Sequence, residues 1–187
     1  MNRVRMGVLI YRLCGPIFVI MRKYVVAVLI LVACGVFVAG YPLRVLVLSA
    51  DGAIVSLHVV KPKDTFLLGY LHSVALSDVW DHFAINSDYR IVLTETMFQG
   101  QGAGLPTSLS GSERLVRDGK WFRITGMRRV APCIHWRVGA KWHNRFRYDN
   151  EDEQDISAMV GNALVLIQVQ KMRLLSWLGY RLTGRIL

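Results

Sequence analysis

The sequence predicts an all-β protein, a small antiparallel sandwich or barrel, preceded by one N-terminal transmembrane helix. Three observations carry this expectation: an uncharged apolar run near the start, apolar alternation with a period of two from residue 44 onward, and turn dipeptides wherever that alternation breaks. No amphipathic helical pattern interrupts the alternating region before its end, and at 187 residues there is room for one domain of common size.

The elements follow in chain order. Residues 1–23 carry Arg3, Arg5, Arg12, Arg22 and Lys23 without an acid, and a shorter apolar run from Leu13 to Ile20 leaves open that this stretch is a start-site artefact. From Tyr24 to Tyr41 the chain has 18 residues without a charge, followed by Pro42 and Arg44. As a helix this segment covers about 27 Å, close to the roughly 30 Å hydrocarbon core of a bilayer. Residues 24–43 therefore read as a transmembrane signal anchor. The cations ahead of it put the amino terminus inside, in the cytoplasm, and the 44–170 β-domain outside. Leu31-Val32-Ala33-Cys34 also fits a lipoprotein cleavage box, so lipidation at Cys34 and simple cleavage stand as alternatives. The apolar run from Gly35 to Gly40 favours the uncleaved anchor.

Candidate strands cover 44–49, 54–60, 66–74, 79–85, 89–98, 121–126, 134–138, 144–148 and 163–169. Asp51-Gly52, Asn86-Ser87-Asp88 and Asp118-Gly119 supply turns between them, and residues 151–155 read as a solvated acidic loop. The tail 171–187 mixes apolar residues with Lys171, Arg173, Arg181 and Arg185, which suits a segment lying in the membrane interface.

The net charge of +10 is not a nucleic-acid signal. Removing the five leader cations and the four of the tail leaves 14 basic residues against all 13 acids. Residues 114–147 remain locally basic, with ten cations and Asp118, and read as a solvated or lipid-facing surface. Cys14 and Cys34 lie in the leader, so no disulfide is expected in the domain and a cysteine-built zinc site is excluded by count. No cofactor motif is present. Ser73 beside His72 is no hydrolase pair, because neighbouring strand residues point to opposite faces and no nucleophile elbow surrounds the serine.

Gly100-Gln101-Gly102-Ala103-Gly104-Leu105-Pro106 is the most unusual stretch. Leu105 stands where a dinucleotide fingerprint needs glycine, and no Gly-Lys-Ser/Thr closes a phosphate loop. The strand registers predict one polar cluster beside it. Pairing Phe83 with Leu93 and Ile85 with Ile91 sets Asp81 opposite Glu95, and pairing Leu68 with Ile85 and Tyr70 with Phe83 sets His72 opposite Asp81. The expected row His72, Asp81, Glu95 reads as a ligand or cation site, as an acid/base pair, or as a structural network pinning the glycine loop.

These segments also carry a resemblance. Tyr70-Leu71-His72-Ser73-Val74, the valine and acid of Val79 to Asp81, Glu95-Thr96 and Gly102-Ala103-Gly104-Leu105-Pro106 resemble the signature of the bacterial domain of unknown function family 1850, over about Pro42 to Val169. That resemblance implies an accessory role in solute uptake, since such proteins are often encoded beside tripartite ATP-independent periplasmic (TRAP) transporters of the TAXI type. The implied partners are the membrane and the transporter's membrane subunits or solute-binding protein. The family tends to have glutamate where Ala75 stands and proline where Asp78 stands, so a site using that glutamate is altered here. The rival expectation is an envelope ligand- or cation-binding protein, or an enzyme, built on His72, Asp81 and Glu95.

Overall fold

The computed structural model describes residues 4–99 and 109–184. The chain divides into two units, residues 43–171 and the flanking segments 1–42 and 172–187.

In the flanking unit, helix α1 spans Val4–Ala39. Its segment Met21–Ala39 is long and apolar enough to cross a membrane, and none of that window is buried against protein. The helix stops at Gly40, and the Leu174 amide then donates to the Tyr41 carbonyl at 3.0 Å. That bond ties the end of α1 to the start of α3 (Leu174–Thr183), which closes on Gly184 in the left-handed conformation. Leu175, Leu178 and Leu182 are exposed along α3, and the Arg181 guanidinium lies over the Trp177 ring.

The other unit is an antiparallel sandwich, so the expected all-β class holds. Its strands are β1 (Pro42–Ala50), β2 (Ala53–Val59), β3 (Thr65–Leu71), β4 (Asp78–Ile85), β5 (Ile91–Gln99), β6 (Arg114–Asp118), β7 (Trp121–Thr125), β8 (Arg129–Ala131), β9 (Cys133–Val138), β10 (Arg145–Tyr148), β11 (Gln154–Asp155) and β12 (Ala163–Arg173). One sheet runs β2-β1-β12-β9; the larger runs β11-β10-β3-β4-β5-β7-β6, with β8 also pairing to β5. Alternate residues of both sheets meet in a core of Leu46, Leu48, Phe66, Leu68, Phe83, Ile85, Trp136, Phe146, Val165 and Ile167. Each large side chain closed off there contributes roughly 2–3 kcal/mol relative to exposure. A smaller cluster of Val79, Phe98, Ile124 and Met127 closes one end.

β6, β8 and β11 are short strands that the alternation does not reveal. Instead of staying a solvated loop, residues 154–155 form β11, and Asp155 accepts from the Ala158 amide to cap the short helix α2 (Ile156–Val160).

Two predicted registers are corrected. Phe83 faces Leu93 and Ile85 faces Ile91 as expected, but a bulge follows, so Asp81 faces Thr96 and it is His82 that faces Glu95. The extra residue is Thr94. Its hydroxyl donates to the His82 carbonyl at 3.1 Å, while its own carbonyl accepts from the Met127 amide where the neighbouring chain breaks between β7 and β8. A bulge on one strand is thus matched by a turn in the next, at Gly126, whose φ of +75° places it where a Cβ would sit 2.6 Å from the Ser112 carbonyl oxygen.

In the β3–β4 hairpin, Leu68 faces Asp81, Tyr70 faces Val79 and Phe66 faces Phe83. The predicted hairpin placed its turn too late. The turn occupies residues 72–77, closed by bonds from the His72 amide to the Ser77 carbonyl and from the Leu76 amide to the His72 carbonyl. The slip moves each strand by an even number of residues, so the expected faces survive although the partners change.

Candidate functional site

A cavity of about 490 Å³ opens beside the β3–β4 turn, between the inner face of the larger sheet and the segment that carries Trp142 and Asn144. Its polar wall includes Tyr70, His72, Asp81, Thr96, Arg137 and Asn144. Leu71, Val79, Leu93 and Met127 form its apolar side.

Each polar group is placed by its local chain. Asp81 lies on the inner face of β4, and its Oδ1 accepts from the Thr96 hydroxyl at 2.8 Å. Protein surrounds most of this carboxyl, although the cavity leaves it partly accessible. Loss of hydration raises its pKa to about 6, while the bond from Thr96 pulls in the opposite direction and is outweighed. Tyr70 is held far on the protonated side, first by burial and then by the Asp81 charge, so its hydroxyl stays available as a donor.

His72 serves the turn. Its Nδ1 accepts from the backbone amides of Ala75 at 3.0 Å and Val74 at 3.3 Å, which leaves the proton of the neutral ring on Nε2. The imidazole thereby fixes a turn in which Leu76 has a positive φ of 46°. Ala75, where the resemblance expects glutamate, sits inside this same turn. The hairpin is braced from outside by a bond from the Leu71 amide to the Trp142 carbonyl at 2.8 Å.

Asn144 is buried, at 2 % exposure. Its Oδ1 accepts from the Gly139 amide at 3.0 Å and from the Ser157 hydroxyl at 3.3 Å, which fixes the orientation of the side-chain amide. The Nδ2 group has no protein partner among the described residues. Arg129 is engaged: its Nε and Nη2 each reach the Glu113 carboxylate at 2.9 Å. Glu113 lies under a thin cover of protein and is held below its ordinary pKa by the Ser110 amide first and by Arg129. Arg137 is exposed at the cavity edge, and no carboxylate pairs with it among the described residues.

The structure therefore brings His72 and Asp81 to one cavity but does not build the expected row of three. Glu95 points to the opposite face of the sheet. There it receives both Arg123 Nε at 2.8 Å and Nη2 at 3.0 Å, and Arg123 also approaches Asp118 at 3.9 Å. The one-residue bulge put Thr96 in the place assigned to Glu95, so Asp81 meets a neutral donor instead of a second carboxylate. Residues Gly100, Gln101, Gly102, Ala103, Gly104, Leu105 and Pro106 lie outside the described residues. The chain leading to them is anchored by the Ser77 hydroxyl, which donates to the Gln99 carbonyl at 2.9 Å. Among the described residues, no three of His, Cys, Asp and Glu gather where they could hold a metal ion.

Sequence reasoning missed Thr96, Arg137 and Asn144 as cavity residues. Thr96 needed the bulge, and the other two reach the cavity through long-range packing that no local pattern encodes. It also missed a relay elsewhere, in which the Ser56 hydroxyl lies 2.8 Å from His58 Nε2, and His58 Nδ1 lies 3.3 Å from Glu151. This order resembles a hydrolytic triad, but Ser56 is buried and does not line the cavity, and the His58 ring stacks on Tyr148 at 4.5 Å. Its visible role is to hold β2 against β10.

The outer face carries a second structural device. A Cβ at Gly69 would lie 2.6 Å from the Trp80 ring, so the indole covers the bare backbone of β3. The Arg145 guanidinium stacks over that indole at 4.6 Å while Nη2 donates to Asp78 at 2.8 Å. Asp78 stands where the resemblance expects proline, and here it anchors this arginine.

No curated protein and no solved structure matches the chain. The family model described as a domain of unknown function, DUF1850, matches residues 66–154, from β3 through the start of β11 and including the Asp81 wall of the cavity. It is over these residues that the chain is similar to domain of unknown function family 1850.

Proposed function

We propose that this chain is a single-pass accessory module of a TRAP-type solute transport system, its amino terminus cytoplasmic and its β-domain periplasmic. The observation that carries the reading is the flanking unit. An apolar helical segment of spanning length ends at Ala39, and the Leu174–Tyr41 bond pins together the segments that lead into and out of the β-domain. A domain tethered at both chain ends suits work beside a membrane complex more than diffusion between partners.

Two further features support it. The five leader cations obey the charge asymmetry of a helix whose amino terminus stays inside. In α3, Leu175, Leu178 and Leu182 share one helical face, while Lys171, Arg173 and Arg181 supply positive charge nearby. Such a helix lies in the headgroup layer with its leucines toward the acyl chains. The transport role itself rests on the family resemblance. It is tested by purifying the full-length tagged chain in mild detergent from a host expressing the transporter genes. Co-purification of the transporter's membrane subunits is expected, and their absence under conditions that preserve the transporter itself would refute the assignment.

A further inference from the structure

We propose that the cavity beside the β3–β4 turn binds a free amino acid with an apolar side chain, its ammonium group at Asp81 and its carboxylate at Arg137 and Asn144. The inference concerns what the domain binds and stands independently of its association with a transporter.

The argument begins from what the cavity leaves unsatisfied. Asp81 has one oxygen engaged by Thr96 and no cationic partner among the described residues, so Oδ2 can accept from a ligand. Arg137 has no acid beside it among the described residues, whereas Arg129, which also lines the cavity, is taken by Glu113. Asn144 is closed from bulk solvent, is locked through Oδ1 and still carries two amide protons on Nδ2. The Nδ2 group reaches the cavity, where a ligand acceptor can take its protons.

Charge complementarity then selects the ligand class. A simple carboxylate would satisfy Arg137 and Asn144 but face the negative Asp81. A simple amine would satisfy Asp81 and leave the arginine alone. A zwitterion satisfies both, and Leu71, Val79, Leu93 and Met127 provide an apolar wall for its side chain. At about 490 Å³ the cavity lies within the range of small-molecule sites, roughly 300–1,000 Å³, and accommodates such a ligand with its waters. The protonated Tyr70 hydroxyl and the His72 Nε2–H add donors on the carboxylate side of the balance.

The experiment is isothermal titration of the full-length chain in detergent with L-alanine, L-leucine and L-phenylalanine. For L-leucine, the comparison ligands are its desamino acid isocaproate and its decarboxylated amine isoamylamine. At least one of the three amino acids is expected to bind. If it is L-leucine, both truncated forms should bind at least tenfold more weakly; otherwise the corresponding desamino acid and amine replace them. Asp81→Asn and Arg137→Gln should each weaken binding at least tenfold with the thermal unfolding transition retained. Arg147→Gln, on the opposite face, should leave binding unchanged.

Lowering the pH from 7.5 to 5 should weaken binding about tenfold as Asp81 takes up its proton. The groups lining the cavity with that carboxyl are Tyr70 from β3, Thr96 from β5, His72 from the turn, Arg129 from β8 and Arg137 from β9. The pH dependence should be lost in Asp81→Asn, which has no carboxyl to protonate. Absence of binding by all three amino acids would overturn the proposal. So would equal affinity for the desamino acid, or binding that tightens as the pH falls. None of these outcomes bears on co-purification with a transporter.

Discussion

Asp81 is a carboxylate whose surroundings favour its neutral form. Its folded pKa of about 6 lies above the ordinary 3.8, so between those values the folded chain holds a proton that the unfolded chain has released. Stability contributed by that proton is present at low pH and is lost as the pH rises through this window. A shift of about two units corresponds to roughly 3 kcal/mol at most, and access through the cavity reduces the expected effect to about 1–2 kcal/mol. Asp81→Asn keeps an acceptor for Thr96 and removes the charge. It should therefore stabilise the protein by about 1–2 kcal/mol at pH 7.5 and by little at pH 4, as measured by urea unfolding of the detergent-solubilised chain. Equal effects at both pH values would show that desolvation is not what perturbs this group. The sequence announced Asp81 through its place among apolar residues on one strand face. It did not announce Thr96, because a neutral partner at residue 96 depends on one unpaired residue at position 94.

At the level of elements, the bulge decides the chemistry of the site. Alternation located most strands and the buried faces of β3 and β4, since the apolar period survives an even slip, but it put the second half of β5 on the wrong face. Register is less legible. A bulge is a long-range compromise, here between Thr94 of β5 and the break at Gly126 and Met127, and the local sequence of β5 reads as a continuous strand. The correction is testable by cross-strand disulfides in a background without the native cysteines. H82C/E95C should oxidise readily, because those positions are directly opposed, whereas D81C/E95C should not, because the two residues face opposite sides of the sheet. Rapid cross-linking of the second pair with none in the first would restore the unbulged register and, with it, a row of two carboxylates. The short strands β6, β8 and β11 escaped notice for a related reason. Exposed residues such as those of β6, Arg114–Asp118, carry no alternation to detect.

For the whole molecule, composition was the most legible signal. Splitting the charge along the chain separated a basic leader and tail from a nearly neutral domain, and the uncharged run marked the helix that is long and apolar enough to cross a membrane. What it left unstated was that the tail folds back: β12 continues through Arg173 and α3 begins where the Leu174 amide meets the Tyr41 carbonyl. The central proposal is that the β-domain lies outside the membrane and that α3 lies in the headgroup layer. Single-cysteine variants of the full-length chain, S87C in the exposed Asn86–Tyr89 turn and L182C on α3, test it most directly by labelling with a membrane-impermeant maleimide in intact spheroplasts. The account predicts rapid labelling of S87C, and slow labelling of L182C that accelerates when detergent dissolves the bilayer. Labelling of S87C only after the spheroplasts are permeabilised would put the β-domain in the cytoplasm and contradict it.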